Sequence, residues 1–110
     1  MKLAENSLLI RIFIGESDKY KGKILYEAIV EKARELHLAG ASVFRGILGY
    51  GADSRMHKAK LLDLSEDLPI VIEIVDSKEN IDKLIPFLDE TVTEGLITIE
   101  EIKVIKYRHS

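Results

Sequence analysis

From Leu8 to Ile14 the chain reads Leu-Leu-Ile-Arg-Ile-Phe-Ile and stops at Gly15. The run is short, rich in β-branched residues and bounded by glycine, which predicts a strand. Leu8, Ile10, Ile12 and Ile14 alternate onto one face. Leu9, Arg11 and Phe13 take the other, which is also largely apolar. A polar stretch follows from Glu16 to Lys23, and then the period changes. Between Lys23 and Leu38, the apolar residues Ile24, Leu25, Ala28, Ile29 and Leu36 fall on one side of a helical wheel. Glu27, Glu31, Arg34 and Glu35 lie elsewhere on the wheel, so the segment predicts an amphipathic helix. Gly40 is the expected left-handed C′ residue, with His37 set against the negative helix end.

Strand character returns over Ala41 to Tyr50 through Val43, Phe44, Ile47 and Leu48, interrupted by Gly46 and Gly49. Glycines inside a strand mark bulges or places of close backbone approach. Ala52 to Met56 reads as an exposed loop, His57 to Leu64 as a returning arm and Ser65 to Asp67 as a turn. Pro69 to Val75 is the clearest strand, and proline is tolerated at its first position. Asp76 or Ser77 caps a second helix through Ile81, Leu84, Ile85 and Leu88. Pro86 lies within that pattern and is expected to kink or break it. Leu96 to Ile99 and Ile102 to Tyr107 form the last strand region.

This order predicts an α+β fold: a ferredoxin-like βαββαβ sandwich, with an antiparallel sheet and two helices on one face, in a single domain over 1–110. Two helices cover only one side of such a sheet. Aliphatic residues on the other side, among them Leu9, Val71 and Val75, predict assembly through the open face. Arg11 and Glu73 argue instead that this face is solvated.

Composition narrows the chemistry. The 110 residues include 16 Lys and Arg, 19 Asp and Glu and no Cys, for a formal net charge of −3. No disulfide framework, thiolate ligand or cysteine nucleophile is available. The charge gives no global attraction to nucleic acid or to an anionic membrane. No apolar run approaches the ~20 residues of a membrane span. The N-terminus carries no leader-like segment, so the expectation is a cytoplasmic protein without membrane insertion. His37, His57 and His109 lack metal-ligand spacing, and no metal site is assigned. Walker loop, dinucleotide fingerprint and nucleophile elbow are all missing from the sequence. No catalytic residue and no required cofactor is therefore assigned, and the chain reads as a non-enzyme. Arg45, Arg55, Lys58 and Lys60 form a basic group, read as an anion site near the loop base or as lysines guarding a sheet edge.

Gly40-Ala41-Ser42-Val43 leading to Gly46, then Gly49-Tyr50-Gly51, resembles the second strand and loop base of PII-type signalling proteins. Glu100 to Lys106 looks like their last strand. The run from Arg45 to Gly51 is similar to that of short bacterial and archaeal PII-like proteins that make up a domain of unknown function. The resemblance implies a homotrimer and a regulatory role. A small anionic effector, an adenine nucleotide, would bind in clefts between subunits and control a partner protein such as a transporter or an enzyme. It implies ligand contacts from Gly49, Tyr50 and Gly51 at the loop base, from Gly95 in the turn before the last strand, and from Lys106 and Arg108. Arg45 joins them as a cation within the glycine-rich strand. Where PII proteins carry Gly-x-Gly-Lys, this chain has Thr93-Glu94-Gly95-Leu96, and its loop over 52–58 is shorter than the classical mobile loop. The alternative is a divalent-metal-binding trimer of the related ferredoxin-like type associated with metal tolerance.

Overall fold

A computed structural model of the protein describes residues 6–59 and 67–108. Four strands form one sheet: β1 (Asn6–Gly15), β2 (Ser42–Arg45), β3 (Pro69–Asp76) and β4 (Leu96–Lys103), in the order β2-β3-β1-β4 with every neighbour antiparallel. The two helices are α1 (Leu25–Glu35) and α2 (Lys78–Thr91). This is the expected βαββαβ arrangement.

Strand periodicity explains the two faces. Ile10, Ile12 and Ile14 of β1 and Ile70, Ile72 and Ile74 of β3 point to the helix side and are buried there. Leu25, Ile29 and Ala33 of α1 and Ile81, Leu84 and Leu88 of α2 close over them in one cluster. Each fully buried aliphatic side chain contributes about 1.5–3 kcal/mol to such a core.

The opposite face holds rows set by the strand register. Phe44, Val71, Phe13 and Leu96 lie in one line across β2, β3, β1 and β4. The next line holds Ser42, Glu73, Arg11 and Thr98. Arg11 donates from Nε to Glu73 at 2.9 Å and from an Nη to Glu100 at 2.9 Å. One guanidinium thus ties the two central strands to β4. The bond to Glu73 is the main influence raising the Arg11 pKa above its ordinary value. The face is therefore divided: a charged centre, with an apolar row that is most exposed at its two ends.

Several element boundaries differ from the sequence expectation. The first helix begins at Leu25 rather than Lys23, because Lys19–Tyr20 and Lys23–Ile24 pair as a small ribbon. Lys21 and Gly22, at φ 49° and 80°, make the mirror-image turn that suits the twist of a two-residue hairpin. The helix ends at Glu35, and the left-handed C′ position belongs to His37 at φ 62°, not to Gly40. The Leu38 amide donates to the Ala33 carbonyl and the His37 amide to the Arg34 carbonyl, the paired bonds of a Schellman end. Buried Leu38 fixes where that end falls.

α2 passes through Pro86 without breaking. The proline removes the donor that would meet the Asp82 carbonyl, but both residues lie on the exposed side of the helix, where that loss is least costly. Ser77 caps the helix, its hydroxyl accepting from the Asn80 amide at 3.2 Å. Asp76, wholly buried, accepts from the amides of Ala39 and Ser77 and from the Asn80 side chain. The last strand ends at Lys103, so Val104 to Tyr107 lie outside the sheet ladder. Tyr107 instead donates its hydroxyl to the Ala39 carbonyl at 2.9 Å, tying the chain end to the α1–β2 connection.

Candidate functional site

The site expected from sequence is built around the connection between β2 and β3. The strand expected over Ala41 to Tyr50 stops at Arg45. Gly46 turns away from the ladder while its amide still donates to the Pro69 carbonyl at 2.7 Å. Leu48–Gly49 then pairs with His57–Lys58 as a second small ribbon. The Ala59 amide donates to the Ile47 carbonyl at 2.8 Å and closes its open end. Of the returning arm expected over His57 to Leu64, the described residues are 57–59, with His57 and Lys58 in strand. Lys60, Leu61 and Leu64, with Ser65 and Glu66, lie outside the described residues.

Gly49 sits where no side chain fits, since a Cβ there would stand 2.9 Å from Cγ of Pro69. Gly51 has open space around it. Between them Tyr50 is 67% exposed. The tip is closed by a turn in which the Ser54 amide donates to the Gly51 carbonyl, and the Asp53 carboxylate accepts from the Arg55 amide. The loop is thus a two-stranded stalk that carries a seven-residue tip, 50–56, between its paired strands.

Arg45 is exposed at the foot of this stalk and pairs with Glu16 at 3.0 Å. Glu16, Asp18 and Asp67 gather nearby. The Glu16 amide donates to the Leu68 carbonyl, the Ser17 amide to Asp67 and the Gly15 amide to Asp18. The carboxylates of Asp18 and Asp67 stand 3.2 Å from where a Cβ on Gly15 would lie. The loop base is therefore more acidic than the basic group read from sequence. Glu16 lies 29 positions from Arg45, and no local signal marked it as the partner.

Gly95, at φ 150°, occupies the turn from α2 into β4. A Cβ there would overlap the Phe13 carbonyl oxygen, so glycine is needed for the chain to enter the sheet beside β1. This turn lies at the same end of the sheet as the loop base. Yet β2 and β4 are the two outer strands, separated by β3 and β1. Three strand spacings put the two features about 14 Å apart. Lys106 and Arg108 follow the far end of β4, where Lys103 pairs with Asn6. The length of β4 separates them from the Gly95 end by about 23 Å. One protomer therefore gathers Arg45, Gly49, Tyr50 and Gly51, holds Gly95 across the sheet from them, and places Lys106 and Arg108 at the opposite end.

His57 lies in the stalk, and His37 caps α1. Among the described residues no group of three or more His, Cys, Asp or Glu could hold a metal ion. No helix among them is long and apolar enough to cross a membrane. Above the N-terminal half of β1 a groove of about 520 Å³ is lined by Asn6, Ser7, Lys78, Glu101 and Lys103. It shares no residue with the loop base.

Comparison with known proteins places this geometry in context. The DUF190 family, "Uncharacterized ACR, COG1993", matches residues 7–104. A UPF0166 protein of Aquifex aeolicus is 43% identical over 99 residues, which cover 88% of this chain and 91% of that protein. Among solved structures, the backbone is similar to CPII of Thiomonas intermedia K12, a nitrogen regulatory PII-like protein bound to ADP, AMP and bicarbonate. That likeness has a TM-score of 0.67 and 18% identity, over 96% of this chain and 92% of that one. The divalent ion tolerance protein CutA1 of Ehrlichia chaffeensis is similar at a TM-score of 0.56 and 12% identity, over 94% and 86% of the two chains. At these identities the structural likeness concerns the fold.

Proposed function

The chain belongs to the DUF190 family and has a PII-like fold, and from that premise we propose that it is a homotrimeric regulatory protein of the cytoplasm rather than an enzyme. Its effector is a small anion, an adenine nucleotide, held at the loop base between subunits. The loop tip over 50–56 then presents or withdraws a surface for a partner protein, a transporter or an enzyme.

The observation that carries this reading is the backbone at Gly46 to Gly51. Gly51, with no side chain and open space around it, leaves the main chain beside Tyr50 open to approach by phosphate oxygens. Arg45 supplies the cation, with Glu16 as the counter-charge that an incoming phosphate displaces. Tyr50, exposed beside them, offers a ring face for a base. The binding of ADP and AMP by CPII supports the choice of ligand class. Lys106 and Arg108 stand at the opposite end of the protomer, so in this reading they reach a site only through a neighbouring copy.

Calorimetric titration of the purified protein with AMP, ADP, ATP and cyclic nucleotides tests the reading. Saturable binding is expected for at least one of them. Arg45→Ala should weaken it by about tenfold or more, the scale of one charge-assisted contact. Gly51→Ala has room in the fold, so weaker binding in that variant reports ligand contact rather than misfolding. Absence of binding at millimolar nucleotide, with Arg45→Ala and Lys106→Ala equally silent, would refute the nucleotide assignment. The metal-tolerance alternative predicts a saturable zinc or copper site, and titration with those ions decides it.

A further inference from the structure

α2 packs on β1 and β3 and leaves much of the helix face of β4 uncovered. On that face the register sets Glu101 beside Leu8 and Lys103 beside Asn6. Lys78, the first residue of α2, closes the remaining side, and together these residues line the groove of about 520 Å³. Leu8 is half-buried beneath it. Ile99, two residues before Glu101 and on the same face, is 47% exposed and extends the apolar ground beside the groove.

The charges here are not spent on the fold. The Glu101 carboxylate makes no hydrogen bond and no ion pair among the described residues. Lys78 pairs with Asp82 one turn further on, and its side chain is 76% exposed. An exposed pair of that spacing is worth about 0.3–0.5 kcal/mol, so another carboxylate can take the place of Asp82. A lysine in the first turn also faces the positive end of its helix, so Lys78 is not placed there by helix stability.

We propose that this groove binds a zwitterion, an α-amino acid with an aliphatic side chain. The charge pattern selects against simpler ligands. A plain anion drawn to Lys78 and Lys103 meets the Glu101 carboxylate, and a plain cation drawn to Glu101 meets two ammonium groups. A molecule that carries both charges one carbon apart satisfies both sides, its ammonium donating to Glu101 and its carboxylate accepting from Lys78. Glu101 and Lys103 share a face two residues apart, about 7 Å between α-carbons, which leaves room for both head groups between the long side chains. The exposed Asn6 amide offers a further donor to the carboxylate. Leu8 and Ile99 seat the aliphatic side chain. The groove shares no residue with the loop base and lies at the far end of β4 from Gly95, so this inference does not rest on the nucleotide reading.

Titration of the full chain with L-leucine, followed by amide chemical shifts, tests the site. Saturable shifts centred on 6–8, 78 and 99–103 are expected. Isocaproate, which lacks the ammonium, and isoamylamine, which lacks the carboxylate, should each bind about tenfold more weakly or worse, the scale of one charge-assisted contact. Glu101→Gln should weaken leucine by a similar factor and leave isocaproate no weaker. Lys78→Met should weaken leucine and isocaproate alike. Both positions are exposed, and circular dichroism should show an intact fold in each variant. No saturation at high millimolar leucine, isocaproate binding as tightly as leucine, or leucine binding that Glu101→Gln leaves unchanged would overturn the proposal. None of these results bears on nucleotide binding, which Arg45→Ala reports separately.

Discussion

At the level of single residues, the largest departures from expectation come from side chains that do a glycine's work or find a distant partner. His37 is the clearest. A β-carbon in the left-handed region costs roughly 1–2 kcal/mol relative to glycine, and His37 meets that cost at φ 62°. Gly40 is the helix stop expected from residue type, but the stop is set by Leu38, which must reach the core and so places C′ one residue before it. His37→Gly should therefore raise the unfolding free energy by about 0.5–1 kcal/mol, after allowing for the greater freedom of glycine in the unfolded chain. A urea melt of the variant beside wild type would show a higher midpoint at unchanged slope. Arg45 teaches the opposite lesson. Its residue type and its place in a glycine-rich run were legible. Its partner Glu16 was not, because a contact over 29 positions exists only once β1 and β2 share a sheet.

Elements were legible where periodicity is long and pure. β1, β3 and both helices follow their apolar spacing closely. Their ends were not, since ends depend on bonds made to other elements. The start of α1 is held by the Leu25 amide donating to the Asp18 carbonyl at 2.8 Å, a product of the small ribbon before it. Of the kink or break expected at Pro86, no break occurs, since Pro86 and Asp82 both lie on the exposed side of α2, where losing one bond is cheap. Asp76 was read as a cap and proves to be more. It joins the α1–β2 connection, the end of β3 and the start of α2 through three donors at 2.7–3.0 Å. Asp76→Ala would leave those donors unpartnered inside the fold, where each costs about 1–3 kcal/mol. Thermal denaturation should show a loss of at least about 3 kcal/mol, and Ser77→Ala, which removes only the helix cap, a loss of about 1 kcal/mol.

For the whole molecule, alternation and element order carried the topology correctly, while the site was legible only as a set of residues. Gly95, Lys106 and Arg108 belong to β4 and its flanks, and the strand order that sends β4 to the edge away from β2 is a tertiary fact with no local trace. The same order ranks the strands by protection. β1 and β3 lie inside the sheet, whereas β2 is four residues long and paired on one side. Hydrogen exchange read by mass spectrometry should therefore find the amides of Ile10 to Ile14 among the slowest. The amides of Val43 and Arg45, which face away from β3 on this edge strand, should exchange faster. Protection of Val43 and Arg45 equal to that of Ile10 to Ile14 would overturn this ranking.

The stalk formed by Leu48–Gly49 and His57–Lys58 bears on how such a chain can diversify. Because its ends are pinned by Gly46 on Pro69 and by Ala59 on Ile47, the seven residues beyond it are insulated from the sheet. A tip tethered in this way can be lengthened or exchanged at little cost to folding, since doubling a loop costs only about 0.6 kcal/mol in closure entropy. The tip is thus a replaceable cassette on a constant mount, and new binding specificities can be grafted at 51–54 without redesigning the domain beneath.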